Sequence, residues 1–494
     1  MHKKNFKWFF SSVVFSIAAL SASADVRLNA LFSDNMVLQR GQKVTVWGWA
    51  DDGEKVTVNF RNQKVSTKAK DGKWSVKLSS LKAGGPDIFK VTGSNSIELT
   101  NVLVGEVWVC SGQSNMEWPL KRSFQPENAI ASSANSMIRF FAVPNLKADE
   151  PQNDVKAKWA ESSPETSPDF SAVGYFFGRD LQQALGVPIG LIQSDWGGSP
   201  ARAWMNHDVL EKNPRYKKEI LDEYVVAQKN HEAALAKYKA GQGGKTEPRA
   251  PWKPSELYYG MITPLQPYAI QGAIWYQGES DAGRAHQYRT LFPDMIKNWR
   301  RDWGNRNFSF HAVQLAPFKA IKDQPGESDW AELREAQLNA TKVLPNVGLA
   351  VITDVGEERD IHPTKKQPVG ERLALAARGI TYGEKIVYSG PIYKKMKIKS
   401  DKAILSFDHV GSGLESRGGA LKGFAIAGED QKFVWATATI DDDKIVVSSP
   451  EVEKPVAVRY GWADFPVVNL WNKDGLPASP FRTDNFPMIT APKE

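Results

Sequence analysis

The stretch VLVGEVWVCSGQSNMEWP, Val102 to Pro119, decides the fold. Its first half is an apolar run of Val102, Leu103, Val104, Val107, Trp108, Val109 and Cys110, the composition of a buried strand. Its second half gathers Ser111, Gly112, Gln113, Ser114 and Asn115, the composition of a sharp turn. In an open α/β sheet, ligands bind outside the carboxyl ends of the strands, where such a turn lies. Ser114 there projects its hydroxyl into a crevice, and a helix starting after it aims free backbone N–H groups at the same point. From this stretch alone two roles stay open: nucleophile, and the ordinary cap or turn residue that Ser and Asn often supply.

Upstream, from Asp25 to about Asn101, short alternating runs (Lys43–Trp49, Lys55–Phe60, Lys73–Leu78, Ile88–Thr92) are separated by Asp51-Asp52-Gly53, Asp71-Gly72 and Gly84-Gly85-Pro86. Period-two patterning with a turn every ten or so residues predicts a small β-sandwich over 25–101. Downstream, over 102–380, apolar strands (Val187–Gln193, Ile270–Tyr276, Phe308–Gln314, Val347–Thr353) alternate with helical stretches (Val173–Leu185, Gln287–Trp299, Asp329–Thr341, Pro368–Arg378). That alternation predicts a parallel sheet with helices on both faces. Within it, residues 206–245 read as a charged, exposed helical excursion with no sustained apolar stripe. Period-two runs return over 381–494, predicting a second β-sandwich-like unit whose final strands join the central one. Asp441-Asp442-Asp443 lacks the spacing of a helix-loop-helix calcium loop and reads as a turn.

Composition narrows the function classes. A chain of 494 residues with 41% apolar and 24% charged residues is an ordinary folded protein of several domains. The formal charge is +7, and three of the lysines lie in the first seven residues. Without them the surplus is +4, and no basic block points to nucleic acid. Residues 1–24 join a basic start, an apolar run from Trp8 to Leu20 and Ala22-Ser23-Ala24, the pattern of a secretory signal cleaved before Asp25. The expected mature protein is periplasmic or secreted and not inserted in a membrane. Cys110, the single cysteine, allows no intrachain disulfide and reads as a small buried filler.

Three further clusters fall at strand ends, as Ser114 does. Trp196-Gly197-Gly198-Ser199 places paired glycines where exposed backbone N–H groups suit an oxyanion hole. Gln277-Gly278-Glu279-Ser280-Asp281 offers a side-chain amide donor at Gln277 and a carboxylate at Glu279 able to orient a histidine. Arg359-Asp360-Ile361-His362-Pro363 has the make-up of a general base with a carboxylate two residues before it. His207, His231, His286, His311 and His409 lack such a setting.

These blocks in this order, with Gly112-Gln113-Ser114-Asn115-Met116 first, resemble the sialate O-acetylesterase family, a branch of the SGNH hydrolases and their carbohydrate esterases. The resemblance spans nearly the whole mature chain, including Asn469-Leu470-Trp471-Asn472 and Ser479-Pro480-Phe481-Arg482. It implies an SGNH-type, flavodoxin-like central sheet between two β-sandwiches, with Ser114 as nucleophile and His362 as base. It implies an oxyanion hole from the N–H of Ser114, the N–H of Gly198 or Gly197 and the amide of Gln277, which stands where many SGNH enzymes place asparagine. Most SGNH enzymes place Asp three residues before the histidine. That position here is Arg359, so Asp360 and Glu279 are rival acidic members, with Asp360 favoured narrowly. Asn115 and Arg202 are read as substrate-binding, although Arg202 also suits a plain surface role. The implied activity is removal of O-acetyl groups from carbohydrate with no metal or organic cofactor. An acetylxylan or hemicellulose acetylesterase of the same fold is the first alternative. A non-catalytic glycan-binding protein, suggested by 17 tryptophans and two sandwiches, is the second.

Overall fold

The computed structural model describes residues 25–242 and 244–492, so the leader expected over 1–24 lies outside the described residues. One strand, Ser96–Gly112, runs 17 residues through two units of the molecule. Its first part pairs antiparallel with Gly84–Thr92, and Leu103–Gly105 runs parallel to Val37–Gln39. From Glu106 it pairs in parallel with Ile189–Asp195, and from Trp108 with Gly272–Tyr276. The division drawn between 101 and 102 thus falls inside a continuous strand.

Around its first part, a three-stranded sheet (Arg27–Leu28, Val44–Trp49, Lys73–Leu78) and a second layer (Lys55–Phe60, Gln63–Lys68, Gly84–Thr92) share one core. Every second residue of Val44–Trp49, Lys55–Phe60 and Lys73–Leu78 is buried, the period-two pattern of strands with one wet face.

The central sheet runs Trp159–Ser162, Asn135–Ala142, Ile189–Asp195, Ser96–Gly112, Gly272–Tyr276, Ser309–Val313, Val347–Ala350. All its pairings are parallel except that of Trp159–Ser162 with its neighbour. In chain terms the parallel strands lie 2-3-1-4-5-6: five neighbours, from Ile189–Asp195 to Val347–Ala350, keep the flavodoxin-like order 2-1-3-4-5, and Asn135–Ala142 is added outside them.

Both faces are covered, and the strands show how. Val107, Val109, Ala273 and Trp275 enter one core with Leu291, Phe292, Leu333 and Ala336, from helices Ala285–Asp302 and Asp329–Val343. Trp108, Cys110, Ile274 and Tyr276 enter another with Val173, Phe177, Leu373 and Ala374, from helices Ala172–Leu185 and Gln367–Ala376. Strands buried on both sides must read as unbroken apolar runs, and full burial of each large side chain contributes about 1.5–3 kcal/mol. Cys110 is one of these buried side chains and is a free thiol.

The excursion contains helix Glu223–Lys239, which has no buried residue. Among the described residues no helix is long and apolar enough to cross a membrane. The C-terminal strands form three small sheets around a separate core of Leu405, Phe424, Ile426, Ile445, Val458, Tyr460 and Phe481. They do not extend the central sheet. This unit joins the central one through helix Asp329–Val343, where the fully buried Arg334 donates to the carbonyls of Leu315, Ala316, Ala463 and Asp464 at 2.7–3.0 Å. The tail returns to the same helix, with the N–H groups of Ile489 and Thr490 donating to Glu332.

Arg334→Met keeps the volume and removes every one of those donors. Unpaired buried carbonyls then predict a loss of about 3–5 kcal/mol in unfolding free energy. Urea denaturation measures it, and a loss under about 1 kcal/mol would contradict this account of the joint.

Candidate active site

The central strand ends at Gly112, and helix Ser114–Glu117 starts two residues later. Gly112 has φ +141°, and a Cβ there would stand 2.2 Å from the Tyr276 carbonyl oxygen. Only glycine lets the two backbones approach so closely at that angle. The Gln113 N–H donates to the same carbonyl at 2.9 Å. The buried Gln113 side chain accepts from the N–H groups of Gly278 and Ser280 at 3.4 and 3.3 Å. Ser114 is therefore presented from a turn tied to the neighbouring strand end.

His362, from the loop between Val347–Ala350 and the Gln367–Ala376 helix, puts Nε2 2.8 Å from Ser114 Oγ. Asp360 Oδ1 accepts the His362 backbone N–H at 2.8 Å, an Asx turn, and lies 3.4 Å from Nδ1. Trp118 stacks on the imidazole with centroids 5.2 Å apart and planes 19° apart, and the Arg122 guanidinium lies 4.0 Å from the Trp118 ring. Burial lowers the pKa of His362 below its ordinary range. The Asp360 charge opposes that fall, and the charges of Lys366 and Arg122 add to it.

The paired glycines close on the same serine. A Cβ on Gly197 would lie 3.3 Å from Ser114 Cβ, and the Gly197 N–H donates to Glu117 Oε2 at 2.7 Å. The exposed Gly198 N–H has no hydrogen-bond acceptor among the described residues. Of the two glycines, Gly198 keeps a free donor.

The expected side-chain donor at Gln277 is engaged within the protein. Its buried amide nitrogen donates to Asp281 Oδ2 at 2.8 Å and Ser199 O at 3.3 Å, while its oxygen accepts from the Tyr288 hydroxyl at 3.0 Å. A buried amide bonds to whatever strong acceptor shares its pocket, and here that acceptor is the buried Asp281. Arg202 lies by the same carboxylate, 3.6 Å from Asp281 Oδ1.

Asn115 is likewise engaged within the protein. It is buried, its amide nitrogen donates to Glu279 Oε1 at 2.6 Å and to the Ile361 carbonyl at 3.0 Å, and its oxygen accepts from Lys366 Nζ. Glu279 thus bonds to Asn115 and not to His362. The burial that raises its pKa leaves Oε2 without a hydrogen-bond partner among the described residues. Of the two rival carboxylates, Asp360 is the one beside Nδ1.

Sequence reasoning missed Trp118, Arg122 and Lys366. Trp118 lies at the end of the opening stretch, four residues past the serine. Lys366 lies four past the histidine beside the exposed Lys365, and nothing local marks which of the two lysines is buried. Among the described residues, no group of three or more His, Cys, Asp and Glu side chains is placed to hold a metal ion.

A family model described as a carbohydrate esterase, sialic acid-specific acetylesterase, matches residues 221–378, which include Glu279, Asp360 and His362. Sialate O-acetylesterases of Pongo abelii and Homo sapiens are each 29% identical to this chain over 511 residues, covering 93% of it and 93% of their own length. The crystal structure of a carbohydrate acetylesterase from Xanthomonas citri is 42% identical, with a TM-score of 0.83 over 94% of this chain and 100% of that one.

Gly112→Ala tests the turn. With its Cβ driven into the Tyr276 carbonyl, the variant should lose at least tenfold in esterase kcat, beside a destabilisation of about 1–3 kcal/mol from the forbidden φ. Wild-type kcat with wild-type stability would refute the reading of the turn.

Proposed function

The chain belongs to the sialate O-acetylesterase family of carbohydrate esterases and is a carboxylic ester hydrolase, and we propose that it removes O-acetyl groups from glycans through an acetyl-serine intermediate at Ser114. The observation that carries this reading is the 2.8 Å approach of His362 Nε2 to Ser114 Oγ at the carboxyl end of a parallel sheet. His362 takes the hydroxyl proton as Ser114 Oγ attacks the acetyl carbonyl. The oxyanion is held by the N–H groups of Ser114 and Gly198, and the proton passes to the departing sugar oxygen. Water, deprotonated by the same imidazole, then releases acetate and restores the serine. Asp360 orients the imidazole through Nδ1, and Trp118 holds its plane. The non-catalytic glycan-binding reading gives way to the enzyme.

Sialate esters are the first substrate class, supported by the family description and the mammalian relatives. Hemicellulose acetyl esters are the second: the Xanthomonas citri relative is a carbohydrate acetylesterase, a class that includes them, and Arg202 is paired with Asp281. Acetate release from acetylated sialosides against acetylated xylo-oligosaccharides separates them. The same proposal carries export with cleavage before Asp25, and a division into units at 25–101, 102–380 and 381–494.

Ser114→Ala should lower kcat on p-nitrophenyl acetate by about 10⁴-fold or more with the fold intact. Substantial residual turnover would end the assignment. Asp360→Asn should cost about 10²–10⁴-fold, as loss of an imidazole orienter does, and more than Glu279→Gln; the reverse ranking would make Glu279 the acidic member.

The pH profile follows from the burial of His362. Only the free base accepts the serine proton, and a lowered pKa keeps it free at neutral pH. The rate kcat/KM should therefore hold through pH 7 and fall on acidification, with a midpoint below the ordinary histidine value of about 6.5. A midpoint above 7 would contradict it.

A further inference from the structure

Lys366 is a cation placed where an esterase has no obvious need of one. It caps the start of the Gln367–Ala376 helix, is 1% exposed, and sends Nζ to Asn115 Oδ1 beneath Ser114. The ammonium lies 5.2 Å from the Tyr276 ring and 5.6 Å from the Trp118 ring, the ring that stacks on His362. The charged groups around it are Glu279 from the strand-end turn, Glu357 and Asp360 from the histidine loop, and His362 itself. Arg122 faces His362 as a second cation. Through Asn115 the lysine reaches three segments: the serine turn, Glu279, and the Ile361 carbonyl next to His362.

We propose that Lys366 is a positioning residue of this esterase: its ammonium fixes Asn115, which locks the serine turn to the histidine loop, and its charge lies against the Trp118 ring that stacks on His362. The charge also compensates Glu279, whose buried carboxylate faces the serine turn. Burial lowers the pKa of the ammonium to about 7, and the surrounding carboxylates oppose that fall. Acidification favours the ammonium form. A like charge close by disfavours protonation of the imidazole. Two jobs are thus carried by one side chain, and they separate by substitution. This rests on the reading of Ser114 and His362 as nucleophile and base.

The test is the pH dependence of kcat/KM on p-nitrophenyl acetate for full-length wild type, Lys366→Gln, Lys366→Met and Lys366→Arg, with folding followed by circular dichroism. Gln keeps a donor for Asn115 without the charge, so the acid midpoint should rise by half a pH unit or more while the plateau falls less than tenfold. Met removes both, giving the same rise and a plateau loss at least tenfold deeper. Arg restores the cation and should return the midpoint to within 0.2 of wild type. An acid midpoint unmoved in both Gln and Met variants overturns the proposal, as does equal plateau loss in the two. If the neutral variants fail to fold, lysine-selective ¹³C labelling of the wild type reads Lys366 directly: an amine already neutral at pH 6 overturns the proposal, and a charged one supports it. Failure of the underlying reading would show instead as turnover surviving Ser114→Ala.

Discussion

The Gln113 N–H donates to the Tyr276 carbonyl at 2.9 Å, and that bond fixes where the central strand stops being sheet. Because Gly112 has no Cβ, the strand end can turn against its neighbour at φ +141°. Everything chemical is then set by registry with that point. Gly197 packs against Ser114, the 278–280 turn is held by the Gln113 side chain, and His362 closes from the far side of the crevice. These backbone ties hold the serine within hydrogen-bond reach of His362.

Much of this was legible because burial leaves a periodic mark. The strands at Ile189–Asp195, Gly272–Tyr276 and Ser309–Val313 are buried on both faces, so their apolar runs stood out within a few residues of their true bounds. Asn135–Ala142 and Trp159–Ser162 escaped notice. Trp159–Ser162 is the edge strand and Asn135–Ala142 its neighbour; they carry Asn135, Arg139 and Glu161, and so lack an unbroken apolar run. Ser114 and His362 stand out by type and setting, and the structure brings their side chains within 2.8 Å. Their partners were harder, because a polar side chain shows its chemistry in sequence but not its direction.

Gln277 and Asn115 make that difference concrete. Both stand where a donor to substrate is expected, and both are buried with amide hydrogens already engaged, by Asp281 and Ser199 in one case and by Glu279 and Ile361 in the other. Such side chains brace the segments they join. The two rival carboxylates differ on the same ground. Glu279 is oriented toward Asn115 and Lys366, and Asp360 toward the imidazole.

The strand Ser96–Gly112 passes from the N-terminal sandwich into the central sheet with its ladders continuing on both sides of the crossing. A joint made of β-ladder has no hinge, since bending it would break backbone bonds of both units at once. The N-terminal sandwich therefore works as a rigid strut behind the serine. Any closing movement over a bound glycan falls to the loops at the strand ends, and a large polymer meets a mouth whose back wall does not yield.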